Sequence, residues 1–146
     1  MFIDLGDLSK GMGMIFMREF METAHKISCG EGQLLFRKGD PTHYFFTLIQ
    51  GELRLTIGVK ERHVYTVRHA GDIFGWSSLV GGNIYSATAV CTKSSEILRF
   101  DRDKLLDLLA KHPESGYLFF KKLSEMLGKR LLESYRIIEG ERLEGE

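Results

Sequence analysis

The spacing of apolar residues along the chain changes twice. Between residues 12 and 24, Phe16, Met17, Phe20, Met21 and Ala24 recur at steps of three and four, which predicts an amphipathic helix with one buried stripe. Four of the six methionines fall here. Their pliable side chains suit a partner surface, but packing onto the helix's own domain is the simpler use. From residue 26 to about residue 100 the period shortens to two. Glu52, Leu53, Arg54, Leu55, Thr56 and Ile57 alternate polar and apolar between Gly51 and Gly58, and Lys60-Glu61 is the expected hairpin tip. Residues 44–49 form a more continuous apolar run, as in a strand covered on both faces. Residues 64–67, 86–90 and 96–100 also read as strands, rich in β-branched and aromatic side chains. Glycines 32, 39, 51, 58, 71 and 75 fall at intervals suited to turns. From Asp101 the period is helical again. Asp101 can cap a helix whose buried stripe is Leu105, Leu108 and Leu109, Lys111 and His112 suit its C-terminal dipole, and Pro113 ends it. A second helix is predicted over 114–139, roughly 40 Å long at 1.5 Å per residue.

These elements make a mainly β domain with flanking helices: a double-stranded β-helix, or jelly roll, with an N-terminal helix and a long C-terminal helix. One domain spans 1–139, with the roll at about 26–100 and the C-terminal helices at about 101–139. Residues 140–146 read as an acidic flexible tail. On the long helix Phe120, Leu123, Leu127, Leu131 and Ile138 form an apolar seam interrupted by Ser134. Such a seam packs onto its own roll or against a symmetric copy, and a helix longer than a lid requires favours a homodimer.

Composition narrows the function classes. Twenty Lys and Arg balance twenty Asp and Glu, which lowers the expectation of a nucleic-acid grip. Cys29 and Cys91 stand apart, without CxxC or metal-ligand spacing, and read as two small buried hydrophobes in a reducing compartment. No secretory leader pattern and no run of roughly 20 apolar residues is visible, so a cytoplasmic location and no membrane span are expected.

Three words in the roll carry a resemblance. They are Gly32-Gln33-Leu34-Leu35-Phe36-Arg37-Lys38-Gly39-Asp40, Leu48-Ile49-Gln50-Gly51-Glu52-Leu53 and Ala70-Gly71-Asp72-Ile73-Phe74-Gly75. With the helical segment 100–113 after them, the order resembles the cyclic-nucleotide-binding domain. More specifically, it is similar to the sensor half of bacterial regulators of the catabolite-activator and fumarate-nitrate-regulator type. The likeness covers most of residues 20–138. It implies a ligand inside the roll, held by a cassette that begins at Phe74-Gly75. It also implies a Glu for the ribose hydroxyl, a short helix whose amides face the cyclic phosphate, an Arg for that phosphate, then Ser or Thr and Ala.

In this chain Trp76 stands where that Glu is expected and Tyr85 where that Arg is expected. Losing the Arg removes a charge-assisted interaction worth on the order of 1.5–3 kcal/mol. Phe74, Gly75, Ser77, Ser78, Ser86 and Ala87 keep the pattern. Three readings stay open. The cassette can bind a different small ligand through Ser77, Ser78, Ser86 and the surfaces of Trp76 and Tyr85. It can bind a cyclic nucleotide weakly through backbone amides. Or Trp76 and Tyr85 fill the pocket as core, and the domain acts through its surfaces. By the same resemblance, Arg130 and Ser134 on the long helix are candidate base contacts.

Catalysis is not expected. The five histidines include no pair one residue apart, as the metal sites of the cupin jelly rolls require, and no P-loop, nucleophile elbow or paired-carboxylate word is present. No metal or cofactor is expected. Regulators of this type carry a helix-turn-helix module after the long helix, whereas residues 139–146 are acidic and glycine-spaced, so direct DNA binding is not expected. Pairing with Glu125 and Glu133 explains the basic interval Lys121, Lys122, Lys129 and Arg130. The sequence thus reads as a stand-alone regulatory domain that senses a small ligand. The alternative is a ligand-independent interaction or dimerisation module docking on a signalling protein such as a histidine kinase or another regulator.

Overall fold

In chain order the structure comprises α1 (Met14–Glu22), β1 (Ala24–Cys29), β2 (Leu34–Phe36), β3 (Tyr44–Ile57), β4 (Arg62–Val67), β5 (Ile73–Phe74), a 3-10 turn (Trp76–Ser78), β6 (Thr88–Asp101), α2 (Arg102–Lys111) and α3 (Pro113–Glu144). The computed structural model describes residues 11–60 and 62–144. Glu61 at the predicted hairpin tip and residues 1–10 and 145–146 lie outside the described residues.

The two 14-residue strands organise everything else. β3 and β6 run antiparallel from the Tyr44–Asp101 pair to the Thr56–Thr88 pair. β1 lines the other edge of β6, and β4 the other edge of β3, giving the order β1-β6-β3-β4. β2 pairs with β6 and β5 with β3, so each long strand serves both halves of the jelly roll.

Strand alternation sorts the side chains into two cores. Phe45, Leu98 and Phe100 point toward the helices, where they meet Phe16, Phe20, Leu105, Leu109, Phe119 and Leu123. Phe46, Leu48 and Ile97, one position out of phase, point into the roll with Phe36, Leu53, Phe74 and Tyr85. Each such side chain contributes roughly 1.5–3 kcal/mol by leaving water. The predicted α1 stripe holds: Phe16 and Phe20 are buried, and Met17 and Met21 pack against the same core.

Two boundaries differ from the sequence reading. The predicted strands at 44–49 and 52–57 are one strand, and those at 86–90 and 96–100 are one strand, because Glu52–Lys93 and Leu53–Cys91 pairing bridges the gaps. Gly51 makes the join possible. It has φ 112°, and a Cβ there would lie 2.6 Å from the Ser95 Cα. The second difference is α3, which continues to Glu144, so the stretch expected as a tail from residue 140 is helical through Glu144. Its residues are helix formers apart from Gly140, and a single exposed glycine costs only about 1 kcal/mol.

Asp101 caps α2 as expected, its carboxylate accepting from the Lys104 N–H at 3.0 Å. Pro113 opens α3, and Gly116 lets it press on α2: a Cβ there would lie 2.5 Å from the Leu109 carbonyl oxygen. Of the seam residues, Leu123 is buried in the protein's own core, and Phe120 and Leu127 pack partly against it. Leu131 and Ile138 are more than half exposed, as are Leu132, Tyr135 and Ile137.

The cysteines are a correction. Cys29 and Cys91 form a disulfide between β1 and β6, with a Cα–Cα distance of 6.5 Å and both side chains buried. The turn after β1 aligns them: the Gly32 N–H donates to the Cys91 carbonyl at 2.7 Å, and the Cys91 N–H to the Gln33 carbonyl at 3.0 Å. A separation of 62 residues carries no sign of this in the sequence. Paired in this way, the two cysteines no longer point to a reducing compartment. No helix among the described residues is long and apolar enough to cross a membrane.

Candidate functional site

The cassette begins where β5 ends. Gly75 has φ 70° and turns the chain into the 3-10 turn. The Ser78 hydroxyl donates to the Gly75 carbonyl at 2.8 Å, and the Gly82 N–H to the Ser77 carbonyl at 2.9 Å, so both serines serve the turn itself and both are buried. From outside, the Thr42 hydroxyl donates to the Gly82 carbonyl at 2.7 Å, and Arg102 in turn donates to Thr42.

Tyr85 points into the roll. Its ring stacks on Phe36 at 4.0 Å between centroids, within an aromatic pile that continues through Phe46 and Phe74. Its hydroxyl donates to the Tyr44 carbonyl at 2.8 Å and accepts from the Tyr44 N–H at 3.1 Å. Burial raises its pKa above the usual value of 10.0. Phe74, fully buried in the same pile, likewise faces away from solvent.

Between the roll and α3 lies a cleft of about 650 Å³, a size that suits a small organic ligand. Trp76, Ser86 and Ala87 reach it from the cassette, and Arg130 and Ser134 from α3. The structure therefore brings five of the ten expected site residues together and leaves Phe74, Gly75, Ser77, Ser78 and Tyr85 outside the cleft lining. Leu127 and Leu131, two seam residues, also line the cleft.

Arg130 connects the two sides. Its Nη2 donates to the Ile73 carbonyl at 2.6 Å, and its guanidinium carbon sits 4.1 Å from the centroid of the Tyr65 ring. The Ser134 hydroxyl returns a hydrogen bond to the Arg130 carbonyl at 3.0 Å. The β3–β4 hairpin forms the remaining wall with Leu55, Ile57, Val64 and Tyr65. This wall was missed in the sequence. The strand at 64–67 was legible, but its alternation does not say that its exposed face would be roofed by a helix. His63 and His69 also reach the cleft. The His63 Nε2 lies 2.7 Å from the Thr66 hydroxyl, and the backbone N–H of His69 donates to Asp72. Among the described residues no group of three His, Cys, Asp or Glu side chains can hold a metal ion.

Residues 26–112 match the family model described as the cyclic nucleotide-binding domain. The chain belongs to that family. A cyclic nucleotide-gated channel beta-3 of the dog, Canis lupus familiaris, is 29% identical over 102 residues, covering 68% of this chain and 13% of the channel. This cyclic nucleotide-binding domain thus spans about an eighth of that relative. A cyclic nucleotide-binding domain of Methylobacillus flagellatus superposes with a TM-score of 0.79 at 26% identity, over 89% of this chain and 74% of that one. The catabolite activator protein of Thermus thermophilus shares the fold, with a TM-score of 0.74 at 21% identity, over 92% of this chain and 62% of the other. Cyclic nucleotide-binding domains of the catabolite-activator and fumarate-nitrate-regulator type are this chain's structural neighbours, as its three sequence words imply.

Proposed function

We propose that this domain is a regulatory sensor of a small ligand held in the cleft between cassette and α3, and that it is not a standard cyclic AMP receptor. The observation that carries this reading is the shared cleft: cassette residues Trp76, Ser86 and Ala87 face α3 residues Arg130 and Ser134 across one space. A ligand there touches both the nucleotide-binding cassette and the helix, so its affinity can differ between two helix positions, which is what a population shift requires. Against cyclic AMP stand Trp76 in place of the ribose-binding carboxylate and a buried Tyr85 in place of the phosphate-binding arginine. The exposed apolar face of α3 at Leu131, Leu132, Tyr135 and Ile138 supports a homodimer as the signalling form. The role is regulatory, not catalytic.

A second reading draws on the same helix. If the cleft is not used, the apolar α3 face serves a ligand-independent interaction module. Titration of cyclic AMP, cyclic GMP and a metabolite panel against the whole chain separates the two, followed by Trp76 fluorescence and thermal stability. A ligand at 100 times its Kd stabilises by about 2.7 kcal/mol, so a hit raises the melting temperature and shifts the emission together. Micromolar binding of cyclic AMP overturns the reading of Tyr85. Silence across the panel favours the interaction module.

A further inference from the structure

Arg130 narrows the chemistry of the ligand. It is partly buried where α3 crosses the roll. Its contacts with the Ile73 carbonyl and the Tyr65 ring fix the guanidinium plane. They use one of its five N–H donors. Glu133 lines the same cleft but is exposed and makes no ion pair with Arg130, so the pairing expected for Arg130 from the sequence is not formed. Among the described residues no carboxylate lies within ion-pair distance of Arg130. A partly desolvated cation without a counter-charge is unfavourable, and a planar carboxylate is the group its fork fits in two parallel hydrogen bonds. The walls beside it are apolar: Leu55, Trp76, Ala87, Leu127 and Leu131. Arg68 and His69 reach the same cleft, but both are exposed, where solvent screens their charge. The cassette, meanwhile, offers a sugar phosphate neither a carboxylate nor a cation, since the Tyr85 hydroxyl is already paired with Tyr44.

We propose that the cleft takes an apolar carboxylic acid, with an aryl or alkyl body against Trp76 and the leucines and its carboxylate on Arg130. The proposal rests on the cleft being the ligand site. Arg130 is also the side chain that ties α3 to β5, so a carboxylate arriving there competes with the Ile73 carbonyl and acts directly on the helix contact.

The test compares 4-phenylbutyrate with its neutral analogue 4-phenylbutanamide by calorimetry on the full chain. The indole N–H resonance of Trp76, the single tryptophan, reports whether the probe enters the cleft. The wild type should prefer the acid by roughly tenfold to a hundredfold, the ratio of a charge-assisted pair. Arg130→Gln should abolish that preference, and Arg130→Lys should keep part of it; melting curves establish that both variants are folded. Equal affinity for acid and amide in the wild type overturns the proposal without any variant and leaves the cleft as a ligand site. So does an acid preference that survives Arg130→Gln. Cyclic AMP or cyclic GMP binding more tightly than the acid overturns the carboxylate assignment and leaves the cleft as a ligand site. If neither phenyl probe binds and the Trp76 resonance stays still, the cleft reading and the carboxylate proposal fall together.

Discussion

The Tyr85 hydroxyl is held by both polar groups of Tyr44, so it closes a small ring of hydrogen bonds under the cassette. Tyr85→Phe removes that ring while keeping the stack on Phe36, and should cost about 1–3 kcal/mol because partly buried backbone groups lose their partner; urea unfolding measures it. The raised pKa adds a pH signature. Above pH 10.0 the unfolded chain ionises this tyrosine while the folded one resists. Stability from Tyr85 is therefore complete below that pH and is lost as pH rises through the folded pKa; Tyr85→Phe should lose part of this alkaline slope. At this scale the three family words were legible because they are turn chemistry. The Asp40 carboxylate accepts from the Arg37 N–H at 2.9 Å, the Asp72 carboxylate from the His69 N–H at 3.0 Å, and Gly39, Gly51 and Gly71 all have positive φ. Trp76 and Tyr85 were legible as departures, but not the directions of their side chains, which depend on the aromatic pile formed by Phe36, Phe46 and Phe74.

Among the elements, α1 is fastened to the α2–α3 junction by charge as well as by Phe16 and Phe20. The Glu19 carboxylate lies 2.9 Å from His112 Nε2 and 3.4 Å from Lys111 Nζ. The His112 hydrogen bond is the largest cause holding the Glu19 pKa below its ordinary value of 4.5. A lowered carboxylate contributes stability that is present above the unfolded pKa and lost as pH falls through the folded one. Glu19→Gln should therefore melt below the wild type at pH 6, and the gap should close as pH drops below 4.5; calorimetry at stepped pH reads it. The helices were legible from their leucine and phenylalanine spacing, down to the Asp101 cap. The continuity of β6 was not, because Thr92, Lys93 and Ser94 are exposed and look like a loop, although the strand pairs through them. Pairing across the sheet, not local pattern, holds that stretch extended.

For the whole molecule, the proposed dimer makes a direct demand. Leu131→Glu with Ile138→Glu places two charges on the exposed half of α3, and light scattering should show the wild type at twice the mass of the variant. The far-ultraviolet spectrum should be unchanged, because both positions are more than half exposed and charging them disturbs little of the fold. A monomeric wild type at high concentration would sink the dimer. The disulfide carries a further consequence, for topology. Residues 30–90, which include the β3–β4 hairpin and the whole cassette, form a covalently closed ring through Cys29 and Cys91. Lys60 stands exposed in the turn between β3 and β4, where a protease can reach it. Limited trypsin cleavage there should leave one band at full mass on a non-reducing gel, and two fragments, 1–60 and 61–146, once thiol is added. The cleft wall can thus be cut open without its halves parting company.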